Sequence, residues 1–309
     1  MTHEPQPLTL EQCAQVLTAP TGTSHKYTRG VLGLLTGSDS YPGAALMSAR
    51  AAVNTGAGMV RFLGTSSLNL LMHLSVPEAV CTVTSTPEKT RVDAWALGSG
   101  ISGQDRENQL RQILQAREPG VIDAGAVALA SQLVAVDGLE LAAHHIITPH
   151  AGEAADALTW LATLKPQLLP ELTEVPSRHE IENEPARYAR ILAGALGVTV
   201  LLKGGSTTIS EPSGQTYTVT GNSPWLATAG SGDTLAGILG AILARYQAET
   251  PAETRKSKDY ALLAAAAVLI HGKAAEHVHP AGMPGPLPPT LVAEHIPGAV
   301  AQTLASHPA

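Results

Sequence analysis

Short apolar runs that stop on glycine or a polar residue alternate, along most of this chain, with stretches of helical periodicity. The runs are "GVLGLLTGS" (Gly30–Ser38), "MVRFLG" (Met59–Gly64), "DAWALGSG" (Asp93–Gly100), "GVIDAG" (Gly120–Gly125), "HHIITPH" (His144–His150) and "GVTVLLKGG" (Gly197–Gly205). Each has the length and apolar character of a buried strand. Helical stretches lie between most of them: Gly43–Gly58, closed by glycine, then Gln104–Arg117 and Pro185–Leu196. This alternation predicts an α/β fold with a mostly parallel central sheet and helices on both faces. Ligands of such sheets sit at the carboxyl ends of the strands, and the unusual residues of this chain fall there.

The rest of the chain adds no second pattern. Leu161–Glu184 is polar and proline-containing and reads as a surface excursion. Pro280–Pro289, "PAGMPGPLPP", reads as a loop before a short final helix. Residues 1–25 show no strand pattern and read as a packed arm. No internal repeat is present, so residues 1–309 read as a single domain.

Composition narrows the partners. Formal charge is −7, and the aromatics are one Phe, six Tyr and three Trp. That excludes a surface built on phosphate-backbone charge or stacked bases, so no nucleic-acid partner is expected. Nucleotides remain open to an acidic protein, because a local nest of amides is enough to bind an anion. Cys13 and Cys81 are not in CxxC spacing and read as free thiols. The N-terminus carries no basic and apolar signal pattern. The longest apolar run, Ala261–Ile270, is too short for a bilayer, which takes about 20 residues. No membrane partner and a cytoplasmic location are the expectation.

The most informative segment is "AGSGD", Ala229–Asp233, ahead of an apolar helix of about four turns. Amides at a helix start are unpaired, and small side chains let an anion reach them. Asp233 would lie in the first turn, beside that anion. It reads either as a group that handles a proton on an attacking hydroxyl or as a plain capping acid. "LLKGGSTTIS", Leu201–Ser210, ends a strand on Lys203 and two glycines. It reads either as a phosphate cradle or as a hairpin turn with a solvated lysine. It is not a Walker loop, since GxxxxGK[ST] is absent. In "ITPHAGE", Ile147–Glu153, His150 is open to a structural or a ligand-contacting role, and Glu153 to metal binding or helix capping.

"GSGISG", Gly98–Gly103, matches GxGxxG, but in about the third strand and not at the first βα turn where a dinucleotide fold needs it. It reads as a strand end facing the same crevice. Gly43, Ala44 and Ala45 begin another helix with small residues, for ligand access or for helix–sheet packing. No metal signature is present: "HEIEN" lacks the second histidine of HExxH, and His277 and His279 read as a helix-end pair.

Taken together and in order, "HKYTRGVLGLLTGSDSYPGAALMSARAAVNTGAGMVR", "ITPHAGE", "VTVLLKGGSTTIS" and "GNSPWLATAGSGDTLAGIL" resemble the ADP-dependent NAD(P)H-hydrate dehydratase family, over roughly Ser24 to Pro297. The resemblance implies a ribokinase-like three-layer sandwich. It implies dehydration of the S epimer of hydrated NADH or NADPH (NADHX, NADPHX), driven by ADP with magnesium on the nucleotide. Ala44, Gly100 and His150 match positions that contact the hydrated dinucleotide. Lys203, Gly204, Gly205, Ser206 and Thr207 match the nucleotide-phosphate loop, and Gly232 a nucleotide contact. Asp233 matches the catalytic aspartate, the base for phosphorylation of the C6 hydroxyl before phosphate is eliminated; it also faces substrate. A homo-oligomer, a tetramer among the candidates, is the expected assembly. Only about 25 residues precede the resemblance, so no N-terminal epimerase domain is expected.

Three departures stand out. Gly125 replaces a second aspartate, Ala151 a proline, and "NSPWLAT" the usual "NPGMAT", which brings bulky Trp225 near the nucleotide site. The rival readings are a ribokinase-like kinase of a sugar or vitamin alcohol, a non-catalytic nucleotide binder, and a Rossmann dehydrogenase. "TPHAGE" with "YPGAA" favours the dehydratase over the kinase.

Overall fold

The computed structural model describes residues 5–83, 87, 90–280 and 283–306. Its centre is a ten-stranded sheet. In chain order the strands are β1 (Gln6–Pro7), β2 (Val31–Leu35), β3 (Met59–Leu63), β4 (Val80–Thr82), β5 (Ala94–Leu97), β6 (Gly120–Ile122), β7 (His145–Ile147), β8 (Thr199–Leu202), β9 (Thr207–Ser210) and β10 (Thr216–Val219). Across the sheet they run β1-β10-β9-β8-β7-β6-β5-β2-β3-β4. From β8 to β4 every pairing is parallel. β9 is antiparallel to both of its neighbours, and β1 lies parallel to β10.

The parallel strands are buried on both faces, as continuous apolar runs should be. Because successive side chains point to opposite faces, adjacent residues serve different cores. Val121, Ile146 and Leu201 pack in one cluster; Ile122, Ile147 and Leu202 pack in the other. The first core is closed by α2 (Pro42–Thr55), α3 (Ser66–Ser75), α9 (Ser231–Glu249), α10 (Ser257–Glu276) and α11 (Pro289–Ala305). The second is closed by α4 (Gln104–Ala116), α5 (Gly125–Gln132), α6 (Ala151–Leu164), α7 (Arg178–Asn183) and α8 (Pro185–Leu196). The result is the expected three-layer α/β sandwich.

α2 and α9 meet through small residues. A Cβ on Gly237 would stand 2.3 Å from the Ser48 carbonyl oxygen and 3.0 Å from Ala51 Cβ. Ala45, Ser48, Ala49 and Ala52 are buried. The later alanines of α2 therefore serve close helix packing.

Several expectations need correction. Residues 1–25 are not a strandless arm: Gln6–Pro7 extends the sheet, and α1 (Leu10–Ala14) follows under a capping box of Thr9 and Gln12. Two residues carry too little periodicity to be recognised alone, and their pairing with β10 defines them. β4 and β10 are also strands. The segment 161–184 is not merely a surface excursion, because Leu161, Leu169 and Ile181 are buried in the second core and α7 forms within it. α9 runs 19 residues, longer than four turns, and α11 runs 17, which is not short. Within the loop read at Pro280–Pro289, residues 281–282 lie outside the described residues.

Candidate active site

The sheet's strand order reverses between β5 and β2, since the chain leaves β2 toward β3 on one side and returns through β5 on the other. A crevice opens at such a switch point. Here the backbone makes three sharp turns. Gly37 (φ 71°), Gly98 (φ 107°) and Gly100 (φ 66°) hold left-handed conformations, and the Gly37 amide donates to the Ser99 carbonyl at 2.6 Å. A Cβ on Gly98 would lie 2.2 Å from the Asp123 carbonyl oxygen, and one on Gly100 2.7 Å from Ala44 Cβ. These glycines are present because no side chain fits.

Asp123, just beyond β6, lies at the centre, with its side chain 3% exposed. Its Oδ1 accepts from Lys203 Nζ at 2.7 Å and from Thr148 Oγ1 at 2.7 Å, and its Oδ2 from Ser99 Oγ at 2.7 Å. Burial pushes this carboxyl upward, but the Lys203 charge and the three hydrogen bonds outweigh it and hold the group below the ordinary aspartate range. Lys203 follows β8 and is placed by a single bridge to His150. Burial works against its ammonium, while Asp123 and Glu153, the latter 3.8 Å away, favour it more and keep it charged. The lysine of this hairpin is therefore not solvated; the turn between β8 and β9 exists, and its lysine points inward.

α9 begins beside this group. Its N-cap is Gly230 (φ 93°), and no side chain caps the helix. The Ser231 amide donates to the Thr228 carbonyl, which leaves the amides of Gly232 and Asp233 as first-turn donors without an intrahelical acceptor. Asp233 is thus in the first turn but is not a capping acid. Burial, and then the charge of Asp123, push its carboxyl above the ordinary aspartate value; contact with Ser99 and the Lys203 ammonium pull it the other way. A Cβ on Gly232 would sit 3.5 Å from Lys203 Nζ, so the helix start and the lysine face one space.

A cleft of about 1090 Å³ opens from there. Its walls include His150, Lys203, Gly204, Gly205, Ser206, Thr207 and Gly232, and its far side Asn222, Val268 and His271. The sequence-predicted phosphate loop and Gly232 therefore come together on one cleft. Ala44 and Gly100 do not line it; they meet each other at the switch point, beyond Ser99. His150 serves both readings. Its Nδ1 accepts the Glu153 amide at 3.1 Å, and Glu153 Oε2 accepts the His150 amide at 2.9 Å, a capping box for α6. The ring still borders the cleft. Trp225 is 49% exposed and is not on the wall, although Pro224 and Leu226 beside it are. At Gly125 an added Cβ meets only the Gly98 carbonyl oxygen at 3.9 Å, so the missing aspartate leaves space rather than strain.

Asp123, Ser99 and Thr148 escape a reading by motif. Each is one polar residue at the end of an apolar strand, and the signal available was that shared position. His271 escapes it too, inside an apolar helix. It is buried, burial pushes it down to about 4, and its Nε2 has no hydrogen-bond partner, so a neutral imidazole forms part of the far wall. Among the described residues, no group of three or more His, Cys, Asp or Glu is arranged to hold a metal ion.

An uncapped, glycine-started helix facing a buried lysine at the strand ends is suited to binding an anion, and the three-layer sheet has the class of fold seen in a ribokinase-like superfamily protein from Enterococcus faecalis, with a TM-score of 0.72 at 24% identity. Within that class the chain is a member of the NAD(P)H-hydrate dehydratase family, whose model matches residues 32–297. The ADP-dependent (S)-NAD(P)H-hydrate dehydratase of Neisseria meningitidis serogroup B is 30% identical over 228 residues, 72% of each chain. The bifunctional NAD(P)H-hydrate repair enzyme Nnr of Mycobacterium tuberculosis is 37% identical over 237 residues, 71% of this chain; the match spans 42% of that protein, less than half its length. The crystal structure of the ADP/ATP-dependent NAD(P)H-hydrate dehydratase from Bacillus subtilis, co-crystallized with ATP/Mg2+, superposes with a TM-score of 0.74. It is 25% identical and covers 98% of this chain and 99% of that one.

Proposed function

We propose that this chain dehydrates (6S)-NADHX and (6S)-NADPHX to NADH and NADPH, with ADP converted to AMP and phosphate. The observation that carries this reading is Asp233. It is a carboxylate held more basic than usual, in the same first turn as two unpaired amides and next in the chain to Gly232, which lines a cleft large enough for a nucleotide.

The chemistry follows from those parts. The nucleotide lies in the cleft with its terminal phosphate against the amides of Gly232 and Asp233 and the Lys203–Thr207 loop. Positive charge and N–H donors there stabilise negative charge that develops during transfer. Asp233 removes the proton from the C6 hydroxyl of the hydrated nicotinamide as that oxygen attacks the phosphorus. The P–O bond to AMP breaks, the new phosphate ester leaves from C6 as inorganic phosphate, and a proton is lost from C5 to the departing phosphate or to water, which forms the C5–C6 double bond and restores the dihydronicotinamide. Ala44, Gly100 and His150 are the proposed dinucleotide contacts. A magnesium ion brought by the nucleotide would supply positive charge to its phosphates.

One ten-stranded sheet carries all of this, which supports a single dehydratase domain. No described helix is long and apolar enough to cross a membrane. A homo-oligomer in the cytoplasm belongs to the same reading, and light scattering of the purified protein checks the assembly. The activity is tested at 340 nm with chemically prepared NADHX, magnesium and ADP or ATP. Return of the dihydronicotinamide absorbance with ADP is the expected result. A flat trace with both nucleotides, from protein that binds ADP, refutes the reading and favours an alcohol kinase.

A further inference from the structure

The chain passes from β7 into α6 through "TPHAGE", Thr148–Glu153, and the backbone after its histidine dictates where the ring lies. We propose that Gly152 is a positioning residue for His150. The room it leaves over the first turn of α6 lets the imidazole accept the Glu153 amide, which fixes the neutral ring with its proton on Nε2. His150 then meets the bound dinucleotide as a hydrogen-bond donor and not as a base. The ligand contact rests on the dehydratase reading; the placement of the ring does not.

His150 is the N-cap of α6, in extended backbone (φ −86°, ψ 173°). Caps are usually Ser, Thr, Asp or Asn; here an imidazole nitrogen takes that place, with Nδ1 3.1 Å from the Glu153 amide nitrogen. A backbone N–H only donates, so Nδ1 is the acceptor and carries no proton. A neutral imidazole has one ring proton, which is therefore on Nε2. Nε2 lies 3.5 Å from Glu153 Oε1, beyond the usual hydrogen-bond range of about 2.7–3.2 Å, so its N–H is not spent on that carboxylate. The side chain is 57% exposed and borders the cleft, where the N–H is left for an oxygen of a ligand. With its lone pair replaced by a proton, Nε2 cannot act as a base.

Gly152 makes this placement possible. A Cβ there would stand 2.9 Å from His150 Cε1 and 3.2 Å from Nδ1. The Gly152 backbone is helical, and helix propensity favours alanine over glycine by about 1 kcal/mol in a helix interior. The backbone therefore does not call for glycine; the ring above it does. The frame around the ring is tied on both sides. The His150 amide donates to Glu153 Oε2 at 2.9 Å, and the Lys203 amide donates to the Pro149 carbonyl at 2.8 Å. The imidazole is thus held in register with the Lys203–Thr207 loop.

The test is 15N NMR of the whole protein labelled at histidine, without ligand and at alkaline pH, where imidazoles are neutral. His150 is assigned by the signals lost in His150→Asn. In the wild type a single tautomer is expected, Nε2 protonated and Nδ1 bare, together with slow exchange of the Glu153 amide. The Nδ1–H tautomer, or the mixture shown by free histidine, overturns the proposal. Gly152→Ala should fold, because the crowded atoms belong to a ring that can swing aside. Its His150 signals should move toward the free-histidine mixture, and its Glu153 amide should exchange faster. KM for NADHX should rise about fivefold, as loss of one hydrogen bond predicts, with kcat within about twofold of the wild type. An unchanged tautomer or an unchanged KM in this variant overturns the proposal, and the wild-type spectrum decides independently of the variant's folding. The expected spectra from both proteins with no turnover of NADHX refute the dehydratase reading and leave the placement of His150 by Gly152 intact.

Discussion

Lys203 Nζ lies 2.7 Å from Asp123 Oδ1, an ion pair between residues 80 positions apart in the chain, with side chains only 21% and 3% exposed. Such a pair is costly to bury and more costly to break. Asp123→Leu should therefore lose about 3 kcal/mol or more by urea denaturation, since it leaves a buried ammonium uncompensated. The double variant Asp123→Leu, Lys203→Met should recover part of that loss, and the coupling in a double-mutant cycle measures the pair. Strict additivity of the two single effects contradicts it.

The two acids should also leave opposite marks on stability against pH. Asp123 has a depressed folded-state value, so its contribution is present above the unfolded carboxylate value, near pH 3.9, and is lost as pH falls through the folded one. Asp233 has a raised value, so its contribution is greatest below the unfolded value and is lost as pH rises through the folded one. At neutral pH Asp233→Asn should melt at or above the wild-type temperature, and Asp123→Asn below it. Scanning calorimetry of both variants at pH 7 checks the order.

Turnover of Asp233→Asn should nevertheless fall by about 100-fold or more, as removal of general-base help predicts. Nucleotide affinity should stay close to the wild-type value. Near-normal turnover at 340 nm would exclude Asp233 as the base.

Gly232 separates anion binding from folding. A Cβ there makes only ordinary contact with Lys203 Nζ at 3.5 Å, so Gly232→Ala should fold normally. Gly232→Val adds bulk where a phosphate must reach the α9 amides, and calorimetric affinity for ADP should fall about tenfold or more. Unchanged affinity would place the phosphate elsewhere.

Gly98 and Gly103 both hold positive φ, at 107° and 91°. Only Gly98 also faces backbone within 2.2 Å, while an added Cβ at Gly103 meets nothing within 4 Å. Gly103→Ala should cost about 1–2 kcal/mol for its backbone alone. Gly98→Ala should cost clearly more and move the Asp123 backbone. Equal costs in urea titrations would contradict the crowding at the switch point.

The local code of this chain is strong where period and punctuation agree. Six apolar runs, from Gly30–Ser38 to Gly197–Gly205, each became a parallel strand, and Pro185 opens α8 where the sequence suggests, while α2 closes on Gly56, two residues before the Gly58 read from the sequence. "AGSGD" announced a helix start with an acid in its first turn. These features were legible because backbone sterics and helix-end hydrogen bonding act over a few residues. The two-residue β1, the burial of Leu169 and Ile181 and the partner of Lys203 were not, since each depends on segments far apart in the chain. A lone Asp123 after three apolar residues is equally compatible with a surface turn. Only the sheet brings the ends of β5, β6, β7 and β8 side by side, and that convergence makes Asp123 the buried counter-ion of Lys203. Sequence determined the strands, the helix starts and the polar residues at their ends; the tertiary structure decided which of those residues meet, because the distribution of protons and charge is set by neighbours in space.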